Sequence, residues 1–284
     1  MRRVLVVTAV AAERDAVCAV AGSCAAVTLP GGQELRRADG LPVALDALAA
    51  GVGPAAAAAG TATALTAAAL AGQPYDLVVS AGIGGGFSPT LGSSPTLDPA
   101  RAGGPPCAGG PPPGAPLGSV VVADAIVAAD LGAETPDGFL PVTELGFGTV
   151  AHRPDPALVR TVAAAADARA GTIVTVSTVT GSAARAAELA ARHPGVLAEA
   201  MEGFGVAEAA AAHGVPVLEI RAVSNAVGPR DRAAWRIGDA LAALTGAFRT
   251  LPGALTAPAG PAPEPLPRPT SLTREEPTPL RRTP

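Results

Sequence analysis

The chain has 284 residues, 49% hydrophobic but only 2% aromatic, so one core of Ala, Val and Leu formed by close approach of its elements is expected. A net charge of −4 and a pI near 5.4, with arginine as the only strongly basic residue type, exclude the broad cationic footprint of a nucleic-acid or anionic-membrane binder. Three cysteines, Cys18, Cys24 and Cys107, are an odd number without CxxC spacing, which argues against a disulfide framework or a zinc ribbon and for a reducing cytoplasm.

The first element is an apolar β-branched run at residues 4–7, read as a buried strand. Its basic start imitates a secretory signal, but Glu13, Arg14 and Asp15 follow at once. Further strands are expected at residues 77–80, 120–122, 173–176 and 217–220. Ala-rich helices are expected at 55–71, 156–170, 182–192, 202–213 and 236–250. This alternation is that of a single α/β domain with a mixed, mostly parallel central sheet flanked by helices. The domain is expected over residues 1–251, interrupted at 89–117 by a Pro/Gly-rich insertion with few residues able to bury area. A Pro-rich tail, residues 252–284, is expected to be disordered. The 55–71 run is too weakly hydrophobic for a membrane span.

Gly82-Ile-Gly-Gly-Gly86 follows a strand and admits two readings: a tight turn, or a place where backbone N–H groups approach a ligand. Its spacing is neither that of a dinucleotide fingerprint nor that of a P-loop, so no nucleotide cofactor is expected. Gly51-Val-Gly-Pro54 invites the same two readings. Ala198-Glu-Ala-Met-Glu-Gly-Phe-Gly205 is read as a helix start, where Glu199 and Glu202 have a bland explanation in the helix dipole. The 217–220 strand runs into Arg221-Ala-Val-Ser-Asn225, polar residues at the carboxyl end of a strand, where open α/β sheets bind ligands. His152, His193 and His213 lack metal-ligand spacing, and no metal site is assigned.

Taken in order, Glu13, the Gly51-Val-Gly53 turn, Gly82-Ile-Gly-Gly-Gly86, Gly118-Ser-Val-Val-Val-Ala-Asp124, Met201-Glu-Gly203 and Arg221-Ala-Val-Ser-Asn225 resemble the nucleoside phosphorylase and nucleosidase superfamily. Within it, Ala198-Glu-Ala-Met-Glu-Gly203 and the stretch from Ser224 to Arg236 resemble the futalosine hydrolase subgroup. The resemblance implies a nucleoside phosphorylase-like fold, a purine nucleoside as substrate and a homo-oligomer, dimer or larger. It also implies hydrolysis of the N-ribosidic bond of futalosine to hypoxanthine and dehypoxanthine futalosine, in menaquinone biosynthesis. The competing readings are a purine nucleoside phosphorylase, a methylthioadenosine/S-adenosylhomocysteine-type nucleosidase and a nucleoside-binding module without turnover.

Carried over residue by residue, the resemblance makes Glu202 the ligand of the ribose hydroxyls, with Met201 beneath the sugar. Glu13 becomes the carboxylate that activates the attacking water, and Asn225 the reader of the base. Backbone around Gly84 and Gly85 would border the sugar. Val179 stands where relatives often place a stacking aromatic, so stacking is expected from Phe204, Phe87 or Trp235. Arg153, Arg230 and Arg232 are candidates for the carboxylate on the 5′ side of futalosine. The loop from Thr8 to Asp15 is read as lacking the arginine with which a phosphorolytic enzyme would usually hold phosphate, which favours water as the nucleophile. An amide at position 225 offers one donor and one acceptor and so suits a 6-oxopurine, whereas a carboxyl there suits adenine.

Overall fold

The computed structural model describes residues 1–88 and 114–256. Strand β1 (Arg3–Thr8) is buried on both faces, as a β-branched run must be when it lies inside a sheet covered by helices. It pairs in parallel with β4 (Ala44–Ala49) on one side and β5 (Leu77–Gly86) on the other. Beyond β4 the sheet ends in two antiparallel strands, β3 (Glu34–Asp39) and β2 (Ser23–Thr28).

On the other side β5 pairs with β12 (Val217–Ala226), which meets β6 (Val120–Ala128) antiparallel. The sheet continues through β10 (Arg169–Thr175) to β11 (Val196–Ala200). Strand β11 then curls back onto the glycine-rich end of β5, pairing Ala198 with Gly86 and Glu199 with Gly85. The strands β5, β12, β6, β10 and β11 thus close a ring. A short hairpin, β7 (Gly132–Thr135) and β8 (Gly138–Pro141), stands apart, and β9 (Ala151–His152) edges β6.

The period of β1 sorts the helices into two layers. Val4 and Val6 face a core with α1 (Ala11–Cys18), α3 (Pro156–Ala165) and α6 (Ile237–Thr256), through Val17, Val162 and Phe248. Leu5 and Val7 face the opposite core with α2 (Pro54–Leu70) and α5 (Gly203–Ala212), through Leu65 and Val206. The last long helix, α4 (Ala183–Arg192), packs Ala186 and Leu189 over β10 and β11. With so few aromatics, contact depends on small residues: a Cβ on Gly205 would lie 2.0 Å from the Pro54 carbonyl, so α5 meets α2 backbone to backbone.

The five expected strands and five expected helices are present, and several boundaries move. Helix α3 stops at Ala165 rather than 170 because Asp167, at φ 49°, turns the chain into β10. Helix α6 runs past residue 251 to Thr256 with Pro252 inside it, so the expected tail boundary falls within a helix. Residues 89–113 of the expected insertion and 257–284 of the expected tail lie outside the described residues. Gly114 to Leu117 are placed: Ala115 is buried, and its N–H donates to the Phe87 carbonyl at 3.0 Å. Helix α1 and strands β2, β3, β4, β7, β8, β9 and β11 are additional to the elements expected from sequence. Among the described residues no helix is long and apolar enough to cross a membrane.

Two local readings change. Glu199 lies not at a helix start but in β11, a strand of small residues buried at every position. The Gly82–Gly86 stretch is the extended end of β5 rather than a turn. Glycine is required there by crowding: a Cβ would lie 2.5 Å from the Glu13 carboxylate at Gly82, 2.8 Å from the Glu199 carbonyl at Gly84 and 2.2 Å from the Ala115 carbonyl at Gly86.

Candidate active site

The ends of β1, β5, β11 and β12 come together around one cavity of about 370 Å³, a size suited to a nucleoside-sized ligand. Glu13 enters from the first turn of α1. Its Oε2 accepts from the N–H groups of Ala9 and Val10 at 3.0 and 3.3 Å, the reach-back of an acidic residue that caps a helix. Its Oε1 accepts from the Ile83 N–H at 2.8 Å, tying the carboxylate to β5. A carboxylate has about four acceptor positions, so one remains for a ligand or water in the cavity.

Glu202 lies at the junction of β11 and α5. Oε1 accepts from the Gly53 N–H at 3.2 Å and Oε2 from Arg221 Nη1 at 3.1 Å. Gly53 donates from a turn in which both Gly51 and Gly53 have positive φ, 110° and 92°, which a side chain would strain. The turn therefore serves Glu202, an outcome between the two readings of that motif.

Behind Glu202, Arg221 is 1% exposed and spends its whole fork on protein: Nε donates to Glu219 Oε1 at 2.9 Å and Nη2 to Ser80 Oγ at 2.9 Å. Burial alone would lower the Arg221 pKa, but the carboxylates of Glu219, Glu202 and Glu13 outweigh it and raise it. Glu219 is fully buried with Oε2 unpartnered, and burial pushes it up to about 7 against the pull of Arg221. Position 203 must be glycine because a Cβ would lie 2.2 Å from that same Oε2.

At the far wall stands Asn225. Its Nδ2 donates to the Ala226 carbonyl at 3.0 Å and its Oδ1 accepts from Ser224 Oγ at 2.9 Å. A carbonyl can only accept, so this contact fixes which end of the amide carries hydrogens and leaves one N–H and one lone pair free. Beside it Glu199, 5% exposed, accepts from the Thr180 N–H at 2.8 Å and pairs with the Thr180 hydroxyl. Burial raises the Glu199 pKa, opposed by those two bonds.

Of the residues singled out from sequence, Glu13, Gly84, Gly85, Val179, Met201, Glu202, Asn225 and Arg230 all line this cavity. Phe204 does not. It is 7% exposed, packs in the core around Ile173 and Val223, and meets the His152 ring at 5.4 Å, because the first turn of α5 points it inward. Phe87 lines a different cavity with Arg169, which leaves Trp235 as the aromatic at this site. Arg230 and Arg232, both exposed, lie over the Trp235 ring at 5.6 and 5.8 Å, but of the three candidates only Arg230 lines the cavity; Arg153 is exposed and outside it. Residues 8–15 do contain an arginine, Arg14, but it pairs with Asp15 at 2.8 Å and Glu34 at 3.8 Å and borders a separate cleft.

Sequence reasoning gave Arg221 and Glu219 no role. Their signal was present: two charged residues in register with the apolar residues Leu218, Ile220 and Ala222 of one strand, where a buried charge must find a partner.

Residues 107–250 match the model of the phosphorylase superfamily. The fold is that of a methylthioadenosine/S-adenosylhomocysteine nucleosidase from Colwellia psychrerythraea, solved with adenine, at a TM-score of 0.68 and 19% identity over 89% of this chain and 96% of that one. The chain is 63% identical to a futalosine hydrolase of Streptomyces coelicolor, over 87% of its own length and 94% of the relative. It is 44% identical to a futalosine hydrolase of Acidothermus cellulolyticus, over 87% and 89%. The class is thus the phosphorylase superfamily with a nucleosidase-like fold. Within that class, the chain belongs to the futalosine hydrolase family.

Proposed function

We infer that the chain is an N-glycosyl hydrolase that cleaves futalosine to hypoxanthine and dehypoxanthine futalosine, a step of menaquinone biosynthesis. The observation that carries the chemistry is the convergence of Glu13, Glu202 and Asn225 on one cavity, each side chain already fixed by hydrogen bonds. Such preorganisation is what a site needs to act on developing charge without rearranging.

Loss of a purine builds positive charge on the ribose and negative charge on the base, as in the oxocarbenium-like transition states of glycosidases. Glu202 accepts hydrogen bonds from ribose hydroxyls, which become more acidic as the ring charges, so its contribution grows toward the transition state. Glu13 orients a water and takes its proton. The C1′–N9 bond breaks with its electron pair on the base, N7 takes a proton from solvent, and Asn225 offers its free N–H to O6 and its free lone pair to the resulting N7–H. Arg230, at the rim beside Trp235, is the cation for the carboxylate on the 5′ side. The engagement of Arg14 with Asp15 and Glu34 supports water over phosphate as nucleophile. The setting proposed is the cytoplasm, as a homo-oligomer.

The test is incubation of the purified protein with futalosine, inosine and methylthioadenosine, each with and without phosphate, with quantification of free base and sugar product. Hypoxanthine release from futalosine without phosphate is expected. A ribose-1-phosphate product would overturn the assignment to hydrolysis.

A further inference from the structure

We propose that Glu199 is a specificity-determining residue that selects a 6-oxopurine by accepting a hydrogen bond from its N1–H. The inference rests on the reading of this cavity as a purine site and deepens it.

The placement is set by strand register. Glu199 of β11 and Asn225 of β12 are both partners of the same residue, Gly85 of β5, one from each side. Neighbouring strands lie about 4.8 Å apart, so the two backbones stand within roughly 10 Å of each other across Gly85. Gly85 has no side chain to fill the gap, and a Cβ there would come within 3.3 Å of Asn225 Nδ2. What remains is a slot with an amide on one wall and a carboxylate on the other, both lining the cavity.

The donor and acceptor pattern then decides the occupant. Asn225, with its amide fixed by Ala226, serves O6 and N7 and leaves N1 unread. Glu199 takes one bond from the Thr180 N–H and one contact with the Thr180 hydroxyl, so a carboxylate keeps acceptor capacity on each oxygen. Hypoxanthine presents N1–H, a donor, to that capacity. Adenine presents a bare N1 lone pair, which a buried carboxylate repels. Asn225 alone discriminates less, because a freed amide can turn over. A carboxylate has no such second orientation.

The measurement is product inhibition of futalosine hydrolysis by hypoxanthine, 1-methylhypoxanthine and adenine, in the wild type and in Glu199→Gln. A hydrogen bond to a charged group contributes about 1.5–3 kcal/mol, which corresponds to roughly 10- to 100-fold in affinity. Wild-type protein is expected to bind hypoxanthine more tightly than either other base by about that factor, and Glu199→Gln to narrow the hypoxanthine-to-adenine ratio by a similar one. Thr180→Val, which keeps the carboxylate, is expected to retain the preference. Equal inhibition of the wild type by hypoxanthine and 1-methylhypoxanthine would overturn the proposal without any variant. So would a Glu199→Gln protein whose ratio is unchanged, or which loses both bases equally. Failure of the wild type to release hypoxanthine from futalosine would instead count against the functional reading, and calorimetric titration with the same three free bases, which needs no turnover, would still report on Glu199.

Discussion

Arg221 Nη1 and Glu202 Oε2 meet at 3.1 Å with both side chains buried, so the acid assigned to the ribose is held from behind by a cation that does not line the cavity. Arg221 is therefore a positioning residue. Its removal would leave Glu202 a buried carboxylate without its counter-charge and Glu219 without the donor at its Oε1.

Arg221→Met is expected to lower stability by about 3–5 kcal/mol, the cost typical of breaking a buried ion pair from one side. Arg221→Lys keeps the charge but not the fork, so it is expected to restore much of the stability and little of kcat. Denaturant titration together with steady-state kinetics would separate the two effects. A Lys variant with wild-type kcat would show that fork geometry is dispensable.

Glu13→Gln retains the shape that caps α1 but removes the base. A fall in kcat of about 10²–10⁴-fold with little change in base affinity is expected. Measuring kcat beside hypoxanthine inhibition tests this; a loss confined to binding would assign Glu13 to structure alone.

Gly82→Ala would push a methyl group to within 2.5 Å of Glu13 Oε1 and 2.8 Å of Arg221 Nη1. Both groups would have to move, and activity is expected to fall at least as far as in Glu13→Gln. An alanine variant with near wild-type kcat would mean that the carboxylate tolerates displacement from Ile83.

Glu219 gives a stability prediction with a definite sign. The folded chain keeps its proton up to about pH 7, whereas the unfolded chain releases it near the ordinary value of 4.5. Between those values the folded state binds more protons, so this group makes stability fall as pH rises. His193, whose pKa burial lowers, acts in the opposite sense near pH 6.5. Comparison of Tm against pH for wild type and Glu219→Gln isolates the carboxyl: the variant should lose less stability between pH 5 and 7. Parallel curves would show that Glu219 is ionised throughout.

Asn225→Asp should raise turnover of 6-amino relative to 6-oxo nucleosides, measured as the ratio of kcat/KM for paired substrates. An unchanged ratio would remove Asn225 from base reading.

Local sequence determined much of this molecule. The runs at β1 and β5 read as buried strands, and the long Ala-rich stretch at 55–71 read as a helix packed closely over a sheet, whereas the short Ala-rich stretch Ala44–Ala49 became strand β4. The family resemblance carried by motif order marked Glu13, Glu202 and Asn225 as candidates, whereas the strand end by itself pointed only to Arg221-Ala-Val-Ser-Asn225. What only the tertiary structure decided depends on register and closure. Strand β11 has too few β-branched residues to announce itself, so Glu199 read as a helix-start acid until pairing with Gly85 put it opposite Asn225. Phe204 was a plausible stacking ring by position, and the phase of α5 turned it into the core. The glycines at 82, 84 and 86 were legible as a motif but not as crowding, since the atoms that exclude a Cβ come from Glu13, Glu199 and Ala115, far away in the chain. A buried charge is written in the sequence as a single letter, but its partner is chosen only when the sheet closes.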